Sequence, residues 1–198
     1  MIKICIALLI ASYSVKSQAQ SIEEMFLDVP GEMLGFKKGA DKEEKKKLVS
    51  EIDNKNGFIA LKGENGMELA KFTLKGEEPI LAVAETSYAD GNTLEKRLTF
   101  LTKVSGKWTD VTERYLKEIP GLVIDAFSMQ KCGVAISDSA SGTYRYKLPR
   151  KGRTIKAVAE SDVLLKPCKG DLFHLEFAAM SLAPNNNWYD YMIMKFAP

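Results

Sequence analysis

From Gly57 onward apolar and polar residues alternate with a period of two. The runs Phe58–Lys62, Met67–Lys75, Ile80–Tyr88 and Leu94–Val104 are parted by Asn65-Gly66, by Gly76 to Pro79 and by Asp90-Gly91. That period places successive side chains on opposite faces of a strand, and Asn-Gly and Asp-Gly pairs favour tight hairpins. Four strands joined so closely predict an antiparallel meander. Strands are expected again at Cys132–Ile136, Thr143–Leu148, Thr154–Ala159, Val163–Pro167, Leu172–Leu182 and Trp188–Phe196, while Leu122–Met129 fits helix or strand equally.

Three short helices interrupt this pattern. Ser21-x-x-Glu24 is a capping box, with Ile22, Met25 and Phe26 on one face and Pro30-Gly31 as the stop. Asp41-x-x-Glu44 opens a second helix, with Leu48, Val49 and Ile52 expected inward and Lys45-Lys46-Lys47 outward. Asp110-x-x-Glu113 opens a third, with Tyr115, Leu116 and Ile119 inward, ended by Pro120-Gly121. The expected fold class is α+β: antiparallel meander sheets with a few short helices. Leu98-Thr-Phe100 before Trp108-Thr-Asp110 is echoed by Leu175-Glu-Phe177 before Trp188-Tyr-Asp190. The echo raises the expectation that one globular domain, 20–198, divides into similar helix-plus-meander halves at 20–108 and 109–198.

Residues 1–19 change the setting. Lys3 precedes an apolar run from Ile4 to Ala11, and Ser17-Gln18-Ala19 supplies small residues where a signal peptidase would cut. The run is far short of the roughly 20 apolar residues of a membrane span, and none follows it. Export is therefore expected, to the periplasm, the cell surface or the medium. Lys3 and Lys16 leave with the leader, so the 28 cations of the chain become 26 against 26 acids. A charge-balanced product argues against general nucleic-acid binding. Cleavage also leaves two cysteines, Cys132 and Cys168, and an oxidising compartment predicts one disulfide between them. His174 is the only histidine and there is no Cys-x-x-Cys, so neither a metal site nor a cofactor is expected.

The segment Ser21-Ile22-Glu23-Glu24-Met25-Phe26-Leu27-Asp28-Val29-Pro30, followed by Met33-Leu34, resembles the start of a family of exported Bacteroidales proteins of unknown function. Ser181-Leu182-Ala183-Pro184-Asn185 is similar to a turn near that family's C-terminal end, and the Ala19-Gln20 junction to cleavage sites of that phylum. The resemblance implies a mixed α+β envelope protein and supplies no catalytic residues. The Cys132/Cys168 pair has no counterpart in the family pattern.

Candidate chemistry is sparse. Cys132, His174 and an Asn among 185–187 follow the order nucleophile, base, orienting residue, and Gly170-Asp171-Leu172-Phe173 resembles a segment of cell-wall-cleaving cysteine peptidases. However, Lys131-Cys132-Gly133 precedes a strand rather than a helix, and a helix N-terminus is what would activate the thiol. Ser137, Ser139 and Ser141 lack the first glycine of a nucleophile elbow. Glu85 and Glu176 are carboxylates of the kind a glycosidase uses, and their separation is the test. These features keep a hydrolase of cell-wall or glycan material as the alternative function.

The leading expectation is a non-catalytic binding or interaction module. Arg145, Lys147, Arg150, Lys151, Arg153 and Lys156 lie within twelve residues without an acid, and Tyr144, Tyr146 and Leu148 alternate with the first two. Such a hairpin suits a phosphate or sulfate of an envelope glycan or glycolipid, or an envelope protein. The competing expectation is an edge hairpin whose charges and Pro149 discourage strand-to-strand association.

Overall fold

The structure, a computed structural model, describes residues 20–63, 66–74, 77–89, 93–116, 129–130, 144–159, 170–181 and 188–196. The chain begins with α1 (Ile22–Asp28), a 3-10 turn (Gly31–Leu34) and α2 (Lys42–Leu48). Six strands follow: β1 (Val49–Asp53), β2 (Phe58–Leu61), β3 (Glu68–Phe72), β4 (Ile80–Ala89), β5 (Thr93–Val104) and β6 (Lys107–Asp110). After α3 (Thr112–Tyr115) come β7 (Tyr144–Lys147), β8 (Thr154–Ala159), β9 (Gly170–Ser181) and β10 (Trp188–Phe196). The first sheet has the order β1-β2-β3-β4-β5-β6 and the second β10-β9-β8-β7, each neighbour antiparallel. This is the α+β meander architecture that the period and the turn pairs imply.

The layers follow from alternation on both faces of the first sheet. Ile80, Ala82 and Ala84 on β4 point into one core, with Phe58, Phe72 and Phe100 and with Leu148, Ile155 and Leu175 beneath the second sheet. Leu81 and Val83 point the other way, against Ile22, Met25 and Phe26 of α1 and Leu34 of the 3-10 turn. The sheet is thus covered by helices on one side and by the second sheet on the other. Double coverage explains why β4 reads as a nearly continuous apolar run rather than a half-polar strand.

Of the three expected helix starts, Ser21 and Asp41 carry capping boxes, whereas α3 is capped at Val111 without a side-chain hydrogen bond and ends at Tyr115, short of the expected Ile119. The Ser21 side chain accepts from the Glu24 N–H while the Glu24 carboxylate accepts from the Ser21 N–H, and Asp41 and Glu44 repeat the exchange at α2. Ile22, Met25 and Phe26 are buried, as their spacing requires.

The second helix departs from expectation. It ends at Leu48, and Val49–Asp53 forms strand β1, leaving Leu48 and Ile52 at 38% and 39% exposure. Lys45, expected outward, is instead 3% exposed. Its ammonium donates to the carbonyls of Phe26 (3.3 Å), Leu27 (3.4 Å) and Val29, which close the C-terminal end of α1. A helix leaves its last carbonyls unpaired and negative, so a cation there satisfies both hydrogen bonding and the dipole. Burial still dominates the titration of Lys45 and holds its pKa below the usual value.

A second tie fixes α1 to the sheet. Asp28 accepts from the Trp108 indole N–H at 2.9 Å and pairs with Lys103 at 2.6 Å, and the Lys103 ammonium lies 5.5 Å from the Trp108 ring centroid. The hydrogen bond from Lys103 is the main reason that Asp28 titrates below its usual range.

The expected disulfide is a correction: none of the three cysteines is paired. Cysteine count and compartment favour a pairing, but neither brings two Cα atoms to the roughly 4.4–6.8 Å that a bridge needs. Cys132 and Cys168, the leader, and the strands expected at 132–136 and 163–167 lie outside the described residues. Among the described residues no helix is long and apolar enough to cross a membrane.

Candidate anion-binding face

The cationic segment 145–156 forms the β7–β8 hairpin, paired as Arg145 with Val158, Tyr146 with Ala157 and Lys147 with Lys156. Gly152 has a φ of 84°, a left-handed turn conformation that only glycine adopts without strain. Tyr146 and Leu148 pack into the core between the sheets. Alternation therefore directs Arg145 and Lys147 to the outer side of the second sheet, as the sequence spacing suggests. For Tyr144 the structure describes the strand position, opposite Ala159.

The six cations separate into two groups. Arg150 pairs with Glu51 on β1, and its guanidinium sits 4.9 Å from the centroid of the Phe58 ring. Arg153 donates to the Thr73 carbonyl at 3.1 Å. Lys151 lies close enough to Asp53 to add slightly to the depression of its pKa, which the Asn56 side-chain hydrogen bond chiefly causes. Nearby, the Leu148 N–H donates to Glu68 at 2.8 Å. The turn of the hairpin is thus a clasp onto the first sheet, and Arg150 and Arg153 are engaged in it.

The remaining cations stay with the second sheet. Ile155, Ala157 and Leu175 are buried between the sheets, so Lys156 and His174, at alternate positions, belong to the outer face. Register sets Lys147 opposite Lys156, Lys156 opposite His174, and His174 opposite position 195, a lysine. Four basic residues therefore occupy one row running straight across all four strands. Lys147 and Lys156 are exposed, whereas Arg145 and His174 are half-buried. Sequence reasoning missed the row because positions 147, 156, 174 and 195 become neighbours only through cross-strand register.

The hydrolase candidates fare differently. Cys132 and residues 185–187 lie outside the described residues, and His174 belongs to the basic row. Glu85 lies on the helix-bearing face of the first sheet, in step with Leu81 and Val83. Position 176 pairs with Thr154 of β8. The separation of Glu85 and Glu176 that would test a glycosidase pair involves a side chain outside the described residues. Among the described residues no cluster of three His, Cys, Asp or Glu side chains could hold a metal ion.

Comparison with protein-family models and with curated proteins finds no match. Among solved structures, the chain is similar to a domain of an uncharacterized protein from Porphyromonas gingivalis W83. The two are 14% identical with a TM-score of 0.54, over 89% of this chain and 98% of that one. At that identity the likeness is one of fold. It bears out, at that level, the resemblance to uncharacterized Bacteroidales proteins carried by the two terminal motifs.

Proposed function

We propose that this protein is an exported, non-catalytic binding module. It holds a phosphate or sulfate group of an envelope glycan or glycolipid on the outer face of its second sheet. The observation that carries this reading is the basic row Lys147, Lys156, His174, with Arg145 beside it on β7. Several cations spread over a flat face suit a repeating polyanion better than a single small ion, because each contact is individually weak in water. The leader and the envelope setting belong to the same proposal.

Retention on dextran sulfate resin tests it at low ionic strength, where the screening length exceeds about 10 Å. The protein is expected to bind and to elute as salt rises. K147E/K156E is expected to pass through, whereas R150E/R153E stays retained, since those arginines serve the clasp. Unchanged retention of K147E/K156E, with its circular dichroism intact, refutes the reading.

A further inference from the structure

The opposite side of the molecule carries a separate cleft. The 3-10 turn, the end of α2 and the β2–β3 corner enclose about 430 Å³, within the usual size range for small-molecule sites. Leu34, Phe36, Leu48, Leu61 and Met67 supply apolar walls. Leu48 explains itself here: its exposure at the end of α2 is exposure to this cleft.

Glu85 is the carboxylate of the site. It continues the β4 face of Leu81 and Val83 one step beyond the helix-side core and is half-buried. No hydrogen bond or ion pair engages it among the described residues. Arg97 stands opposite in register but borders a different depression, with Asp110 and Glu113. Lys62, at the rim of the cleft, turns its ammonium onto the Lys47 carbonyl at 3.3 Å. Gly35 ends the 3-10 turn at a φ of 73°, and a Cβ there would lie 3.6 Å from one Glu85 oxygen and 3.8 Å from the other. Its missing side chain keeps that carboxylate uncovered.

We infer that this cleft takes a small organic cation, a primary ammonium on a short aliphatic or aromatic body. The body lies on Leu48, Leu61 and Met67, and the head donates to Glu85. Apolar burial supplies most of the affinity, and the charge-assisted hydrogen bond supplies the discrimination. This site is independent of the basic row, which lies on the far face of the second sheet.

Titration of the protein with hexylammonium, hexanoate and hexanol, read from the methyl resonances of Leu61 and Met67, tests the inference. Hexylammonium is expected to give saturable shifts and hexanoate none. Glu85→Gln is expected to weaken hexylammonium at least about tenfold, the scale of one charge-assisted hydrogen bond. Leu48→Lys, at an exposed position, places a competing cation in the cleft and is expected to do the same if E85Q folds poorly. Equal shifts with all three probes, no saturation with hexylammonium, or wild-type affinity in a folded E85Q (or, if E85Q does not fold, in L48K) would overturn the inference.

Discussion

Replacing Lys45 with Met is the sharpest test of how the helical layer is held. The substitution keeps the length and apolar stem of the side chain and removes only the ammonium. Three carbonyls at the end of α1 lose their donor, and those of Phe26 and Val29 are buried. An unsatisfied buried acceptor costs about 1–3 kcal/mol, so the two buried groups set a gross loss of about 2–6 kcal/mol. Against this, the native protein no longer has to desolvate an ammonium, a cost of several kcal/mol. Fraying of the last turn lets water reach the carbonyls and trims the loss further. A net destabilisation of about 2 kcal/mol is expected. With a slope of about 2 kcal/mol per molar urea, the unfolding midpoint falls by about 1 M.

Alkaline pH sharpens the same test. Burial lowers the Lys45 pKa below 10.5 in the folded state. Between that lowered value and 10.5 the unfolded chain binds more protons, so the native state gains stability as pH rises. K45M lacks this gain, and its deficit should widen through that window. Lys46, which is exposed beside Glu43 at 2.9 Å, gives the control: K46M should leave the midpoint unchanged. A K45M midpoint equal to or above that of the wild type would refute the assignment of Lys45 as the closure of α1.

Asp28→Asn should cost up to about 1 kcal/mol at neutral pH, the scale of a partly exposed ion pair. Because the folded Asp28 pKa lies below 3.8, its contribution is present above that value and fades as pH falls through the depressed one. The D28N and wild-type stabilities should therefore converge in strong acid, with Trp108 fluorescence in a Trp188→Phe background as the probe. Tyr115→Phe removes the hydroxyl that donates to Glu77 at 2.8 Å and should cost about 1.5–3 kcal/mol in urea unfolding, since the acceptor is charged. Phe100→Ala empties a fully buried site between the sheets and should cost about 3–5 kcal/mol by the same measurement.

Local chemistry was legible in the sequence and distant register was not. Capping boxes at Ser21 and Asp41 depend on side chains three residues apart, so they could be named from the chain alone. Strands β2 to β5 and β7 to β10 were found to within a few residues because alternation and turn pairs act at short range. Strand β1 was hidden by its own irregularity. The bulge at Ser50 shifts register between Val49 and Glu51, so Val49 and Ile52 fall three apart and mimic a helical face. The tie between Trp108 and Asp28 spans 80 residues, and no local pattern announces it. Lys45 misled for a related reason: a lysine run is ordinarily solvated, and only the arrival of α1 buries one member of it.

The two-sided coverage of the first sheet bears on how this fold can change over time. On β4 the first two positions facing the aromatic core beyond Ile80 are Ala82 and Ala84, whereas the helix side holds Leu81 and Val83. Deleting one residue from that strand would exchange the two sets, driving bulk against the phenylalanines and opening gaps beneath α1. Insertions and deletions in descendants of this chain should therefore gather in its connecting turns, while the central strands keep their length.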